Sequence, residues 1–308
     1  MKPTRFLFRL IPSRGLLCCL LIPLFLNYGN AGPVSAEATA DTDLIHPAVQ
    51  ITSRTEPVLD MAISADGAYI VYVSGDDKPT TLWLASADPA IILLPEKLAG
   101  GVSAKSSPAI SADGRYVAYV DTDFDVKGDI YVMDRETPNE KPLRLTGRDT
   151  EDGGPCFSQD GRFLYFHQAT GNRPRRLVAM DLSKIGQGPA PIPTGGDAMF
   201  CALSPDSRHL AFVSVRHDTS GDLFLMDTRS QTVRQITSGP AIDMFPQWSP
   251  DSRVLYFSRI GSDTTHDRRL TSEDHSIICR IRIDEPDSIP FPLTPLNFVS
   301  FKPFVAGG

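Results

Sequence analysis

The chain has 308 residues, of which 41 % are apolar and 22 % charged, and a formal net charge of −7. The apolar share is ordinary for a globular protein. The acidic balance argues against nucleic acid as a partner, because that binding rests on phosphate neutralisation by Lys and Arg.

At the N-terminus, Lys2, Arg5, Arg9 and Arg14 form a basic leader. An apolar run of 12 residues follows, from Gly15 to Leu26, and then small residues. Val34-Ser35-Ala36 reads as a cleavage site, and Ala38-Thr39-Ala40 offers a second. This pattern predicts a secretory signal peptide over 1–36 and a flexible tail over 37–47. A run of 12 is too short to cross roughly 30 Å of hydrocarbon, which takes about 20 helical residues, so no membrane span is expected after cleavage. Cys18 and Cys19 lack the small residues that precede a lipidated cysteine. The expected location is the periplasm or the exterior.

Downstream, one tetrapeptide returns five times: Ser64-Ala65-Asp66-Gly67, Ser111-Ala112-Asp113-Gly114, Ser158-Gln159-Asp160-Gly161, Ser204-Pro205-Asp206-Ser207 and Ser249-Pro250-Asp251-Ser252. Successive serines lie 47, 47, 46 and 45 residues apart. That period is the length of one four-stranded propeller blade and too long for a leucine-rich or ankyrin repeat. Asp, Ser and Pro form turns and Gly takes the positive-φ position, so the tetrapeptide reads as the hairpin between the first and second strands of a blade. Ser207 and Ser252 in place of Gly predict slightly different geometry in those two turns. After each turn comes an aromatic strand, such as Tyr116-Val117-Ala118-Tyr119-Val120, and then a third strand, such as Asp129-Ile130-Tyr131-Val132-Met133-Asp134. Asp134, Asp181 and Asp227 each fall 23 residues after their own repeat serine. Arg144-Leu145-Thr146 and Gln235-Ile236-Thr237 read as short outer strands. The expected fold is all-β: a β-propeller over 48–304 with five recognisable four-stranded blades and at most a partial sixth, ending in a tail over 305–308.

The run Phe245-Pro246-Gln247-Trp248-Ser249-Pro250-Asp251-Ser252, with the following aromatic strand, the Asp-bounded third strand and the Leu-Thr pair, resembles the WD40-like repeat of the TolB family. The resemblance covers about Gln50 to Phe304 and is specific for the repeat. It implies a cell-envelope setting in which protein partners dock at the loop-rich mouth. The array leaves no room for the α/β domain that precedes the propeller in that family, nor for a hydrolase domain after the blades.

An open propeller leaves unpaired strand edges, and both chain ends look suited to closing it. Ala48-Val49-Gln50-Ile51-Thr52 is similar to the outer-strand segment Val233 to Thr237, and Phe298 to Pro303 is similar to a first strand. They would either contribute to a partial sixth blade or seal a five-bladed ring. Cleavage leaves Cys156, Cys201 and Cys279. Cys156 stands two residues before its repeat serine and Cys201 three before, so they are expected on opposite faces of neighbouring first strands, as small buried hydrophobes rather than a bridge. No CxxC pair supports a zinc site.

The loops between second and third strands lie opposite the tetrapeptide turns and carry most of the charge: Asp76-Asp77-Lys78, the run Asp121 to Asp129, Arg173 to Arg176, and Arg216-His217-Asp218. Loops on a rigid scaffold are where binding usually happens. Blade five departs most from the repeat: the Asp that ends its third strand is expected at Asp284 rather than near position 272, an insertion of about 12 residues within Arg259 to Ser276. That loop holds Asp263, His266, Asp267, Arg268, Arg269, Glu273, Asp274 and His275, and is either a partner-binding element or a tolerated surface insertion. Its histidines match no catalytic metal spacing. Asp121, Asp123, Asp125 and Asp129 open like a calcium-binding EF-hand loop, but Val126 stands where Gly is needed and Val132 where a bidentate Glu is needed. They read as a solvated acidic loop, or as calcium ligands if the site binds. No other cofactor is expected.

No GxSxG elbow, phosphate loop or dinucleotide fingerprint occurs. The leading expectation is an exported, non-catalytic scaffold that binds envelope proteins of unspecified identity. The alternative is a propeller lyase or hydrolase acting on an extracellular polysaccharide, since propeller enzymes assemble carboxylate pairs from separate blades. His266, His275, Arg268 and Arg269 are then the first residues to test.

Overall fold

The computed structural model describes residues 5–13, 16–24, 57–75, 79–88, 94–147, 149–216, 221–267, 269–271, 274–294 and 302–307. The strand expected over 48–52, most of the segment 298–303, the loop residues 76–78, His217, Asp218, Arg268, Glu273 and the cleavage region lie outside them. Five four-stranded antiparallel sheets follow one another, each with its strands in chain order. Blade 1 runs Val58–Ile63, Tyr69–Ser74, Thr81–Ser86 and Glu96–Ala99. Blade 2 runs Lys105–Ile110, Tyr116–Asp121, Asp129–Asp134 and Leu143–Arg144. Blade 3 runs Thr150–Phe157, Phe163–Thr170, Arg176–Asp181 and Ala190–Pro191. Blade 4 runs Ala198–Leu203, His209–Ser214, Asp222–Asp227 and Val233–Gln235. Blade 5 runs Ile242–Trp248, Val254–Ile260, Ile277–Arg282 and Phe291–Pro292.

The tetrapeptide makes the same hairpin each time. In blade 2 the Ser111 hydroxyl donates to Asp113 Oδ1 at 2.6 Å and accepts from the Tyr116 amide at 2.8 Å. Asp113 Oδ1 also accepts from the Arg115 amide at 3.0 Å. The other four copies repeat all three bonds. The five serines are buried. Ser207 and Ser252 adopt φ of 59° and 60°, against 68–72° for Gly67, Gly114 and Gly161, so the expected difference in turn geometry is small. The Leu-Thr pair locks the outer edge: the Leu145 amide donates to the Ile130 carbonyl at 2.8 Å, and the Thr146 hydroxyl accepts from the Ile130 amide at 2.9 Å.

The core lies between blades. On the second strand of blade 4, Leu210 and Phe212 pack toward blade 3, with Leu177, while Ala211 and Val213 pack toward blade 5, with Trp248 and Phe257. Blades 2, 3 and 4 are covered on both faces, so their second strands are near-continuous apolar runs rather than strict alternations. The tryptophan indole of Trp248 adds an inter-blade hydrogen bond to the Ala202 carbonyl at 3.0 Å.

The inner strands succeed one another around a ring, and Pro303–Gly307 fills the gap between those of blades 5 and 1. Lys302 pairs with Asp60 of blade 1 across this seam, at 3.1 Å. Pro303–Gly307 also pairs with Leu16–Leu24, which pairs with Arg5–Ser13, giving a three-stranded sheet beside the five blades. The ordered strand therefore runs to Gly307, three residues past the expected boundary at Phe304, because Leu16 to Leu20 supply it with partners. Among the described residues no helix is long and apolar enough to cross a membrane.

Candidate functional site

Each inner strand carries a β-bulge where its ladder with the second strand slips: between Val58 and Asp60, Ser106 and Ala109, Gly153 and Cys156, Met199 and Ala202, and Met244 and Gln247. The residue four places before the repeat serine sits in the bulge of blades 2 to 5, as Ser107, Gly154, Phe200 and Phe245; in blade 1 that residue, Asp60, pairs with Val73 and Leu59 is the one passed over. Ser107, Phe200 and Phe245 hold φ of 49°, 48° and 54°. Bulky residues rarely adopt this left-handed conformation, which persists where the surroundings impose it and clusters at functional sites. Gly154 holds the same conformation with φ 56°, and a Cβ on Gly153 would come within 2.8 Å of the His167 ring, so position 153 admits no side chain without displacing that histidine.

These bulges turn side chains into a central cavity of about 210 Å³, bounded further along by turn residues such as Ala65, Ala112, Gln159 and Pro205. The Phe200 and Phe245 rings lie 4.7 Å apart, and His167 meets the Phe200 ring edge-on at 5.8 Å. Lys302 Nζ stands 5.6 Å from the centre of the Phe245 ring while it pairs with Asp60. Among the described lining residues, Asp60 and Lys302 are the charged ones. His167 is 7 % exposed with its Nδ1 buried, and burial first, then the nearby Arg175 charge, depresses its pKa to about 4. A second groove of about 430 Å³ lies between blades 2 and 3, bounded by Tyr116, Leu143, Leu182 and Ile185.

The blade-5 insertion is smaller than expected. Strand pairing sets Arg282 opposite Val254, as Asp227 stands opposite His209, so Arg282 rather than Asp284 occupies the strand-end position. That position falls 33 residues after the repeat serine instead of 23, an insertion of 10. Asp274 organises the loop: its carboxylate accepts from the amides of Thr264, Thr265 and Thr271 at 2.6, 2.9 and 2.9 Å and from the Thr264 hydroxyl at 3.1 Å. These bonds, the Thr271 amide foremost, hold the Asp274 carboxyl well below the usual range. Asp274 is buried, Asp263 is half-buried, and His266, Asp267, Arg269 and His275 are exposed. Asp263 accepts from the Asp267 amide at 3.2 Å, and Asp267 from the Arg269 amide at 2.9 Å.

In the acidic loop of blade 2, Asp121 and Asp129 stand opposite each other at the hairpin base. Asp121 pairs with Lys105 at 3.3 Å and Asp129 with Arg144 at 3.3 Å. Asp125 accepts from the Lys127 amide, and Asp123 is exposed. Burial raises the Asp129 carboxyl above its ordinary pKa. Among the described residues no group of three or more His, Cys, Asp or Glu side chains is placed to hold a metal ion. The loop tip presents Phe124 and Val126 to solvent, with Arg144 stacked on Phe124 at 4.7 Å.

Cys156 and Cys201 are free thiols, but their placement two and three residues before the repeat serines does not keep them apart. Cys156 Sγ lies 3.0 Å from Cys201 Sγ. Opposite parity is what brings them together: adjacent blades stack face to face, so the trailing face of blade 3 meets the leading face of blade 4. The bulge ring itself went unseen in the sequence. Its signal is the fixed offset of four residues before each serine, at which Phe200 and Phe245 stand out from Asp60, Ser107 and Gly154.

No protein-family model matches the chain, and no curated protein matches it. Among solved structures it is similar to TolB from Acinetobacter baumannii, at 17 % identity and a TM-score of 0.68, over 98 % of this chain and 66 % of that one. A protein assigned as TolB from Agrobacterium tumefaciens matches at 20 % identity and a TM-score of 0.62, over 83 % and 91 %. An oligogalacturonate lyase from Vibrio parahaemolyticus matches at 13 % and 0.52, over 76 % and 64 %. The chain thus spans about two thirds of the length of the first of these. Its fold is a TolB-like β-propeller.

Proposed function

We propose that the chain is an exported, non-catalytic propeller that binds a protein partner in the cell envelope. The observation that carries this is the aromatic pair Phe200 and Phe245, held by strained bulges over a cavity of about 210 Å³. Small-molecule pockets run to roughly 300–1,000 Å³. A smaller cavity with an aromatic rim suits a protruding side chain or chain end, and aromatic anchors dominate protein interfaces. Its two charged groups are paired with each other. The exposed part of the blade-5 loop, with His266, Asp267, Arg269 and His275, offers a second contact on the opposite face, and Arg268, Glu273 and Asp263 belong to the same proposal. Calcium at Asp121, Asp123, Asp125 and Asp129 would add an adhesive role, and titration calorimetry with Ca²⁺ giving no heat would remove it.

The test is a cross-linking pull-down from envelope extract with three baits. They are the chain from Glu37, the same chain with Phe200 and Phe245 both changed to Ala, and one with Arg259 to Ser276 replaced by a short Gly-Ser turn. A partner lost with either variant supports the reading and locates the contact. Equal capture by all three, or by none, rejects it. Export is checked separately, by recovering from the periplasm a chain that begins at Glu37. The alternative, a polysaccharide lyase or hydrolase, draws on the likeness to the oligogalacturonate lyase propeller. It is tested by turnover on a panel of oligogalacturonates and other glycans, with His266→Ala and His275→Ala as controls.

A further inference from the structure

We infer that Cys156 and Cys201 form a disulfide that staples blade 3 to blade 4. Their sulfurs are 3.0 Å apart, on inner strands of adjacent blades. Closing to a bonded distance of about 2.05 Å takes roughly 1 Å of side-chain adjustment. Both cysteines line the wall of the central cavity. Cys156 is half-buried and Cys201 buried. Cys279 is no competitor: it packs between blades 4 and 5 with Phe257 and Ile281 and is not part of the cavity wall.

The oxidant is a disulfide, R–S–S–R, of a small thiol or an oxidised dithiol protein. The more accessible Cys156 thiolate attacks one of its sulfurs, forming a mixed disulfide and releasing RS⁻. The Cys201 thiol then loses its proton and attacks the Cys156 sulfur, expelling the second RS⁻. One S–S bond breaks and one forms. Two protein thiols are oxidised, the oxidant is reduced to two thiols, and the two protons end on them. The hydrogen bond with Cys156, and then burial, hold the Cys201 thiol well above its ordinary pKa, so the second step accelerates as pH rises.

The test uses the folded full-length chain, incubated with glutathione disulfide at mildly alkaline pH. It is then unfolded, alkylated with iodoacetamide and digested without reduction. The expected product is one peptide pair joined through Cys156 and Cys201, with Cys279 alkylated and the link lost on reduction. In Cys156→Ala the link disappears and Cys201 is alkylated. Full alkylation of both cysteines in the unsubstituted chain overturns the proposal. So does a glutathione adduct persisting on Cys156 alone, or a link to Cys279.

Discussion

Single side chains decide the turns and the acid response. Ser111 is fully buried, and its hydroxyl serves the Tyr116 amide and the Asp113 carboxylate together. Ser111→Ala leaves a buried amide without its acceptor, and the expected loss is about 1–3 kcal/mol by urea unfolding. Ser207 and Ser252 share the left-handed conformation, but the Ser252 hydroxyl alone accepts from the Asp206 amide across the seam between blades 4 and 5, at 3.1 Å. Strain relief and added chain entropy are common to Ser207→Gly and Ser252→Gly and cancel in the comparison. Ser252→Gly should therefore be the less stable by about 1 kcal/mol. His167 works through pH. Its folded pKa of about 4 lies below the ordinary value of 6.5, so the unfolded chain binds the extra proton between those values. The stability it contributes is complete above pH 6.5 and is lost as pH falls to about 4, on the order of 3 kcal/mol. His167→Leu should flatten this window in denaturant titrations at pH 7 and pH 4.5. An unchanged difference between the two pH values would refute the assignment.

At the scale of an element, the blade-5 insertion behaves as a folded unit rather than a slack loop. One carboxylate gathers three amides, and the His275 amide closes the structure on the Thr264 hydroxyl at 2.8 Å. Asp274→Ala should release the Thr264, Thr265 and Thr271 amides to fast hydrogen exchange while the blade core stays protected. Exchange at those amides unchanged from the parent would mean that Asp274 does not organise the loop. The presence of this insertion was legible in the sequence, because the repeat spacing breaks there. Its length was overstated by two residues, because strand-end positions are set by the pairing of Val254 with Arg282 and not by the nearest Asp. The tetrapeptide hairpins were legible for the opposite reason: every bond that makes them lies within six residues. The bulge ring and the Cys156–Cys201 contact depend on which faces of neighbouring sheets meet, and that information is not local.

For the whole molecule, closure is the property that composition and repeat spacing left open. The five blades could be counted from the serines, but the joint is made by Pro303–Gly307, of which only Pro303 fell in the segment read as similar to a first strand, while 305–308 was expected to be a tail. Its neighbours, the inner strands of blades 5 and 1, lie about 180 residues apart in sequence. Two contributions hold this joint, and they differ in size. The pair of Lys302 with Asp60 is partly exposed, with side chains at 16 % and 25 %, so Lys302→Ala should cost no more than about 1 kcal/mol. Deleting residues 302–308 removes the strand itself and leaves the edge of Leu16–Leu24 unpaired, a template for pairing with another chain. The deletion should lower the thermal midpoint well beyond Lys302→Ala and produce self-association in sedimentation velocity. Were the deleted chain to melt with Lys302→Ala and stay monomeric, the inner strands of blades 5 and 1 would have to close on each other without it.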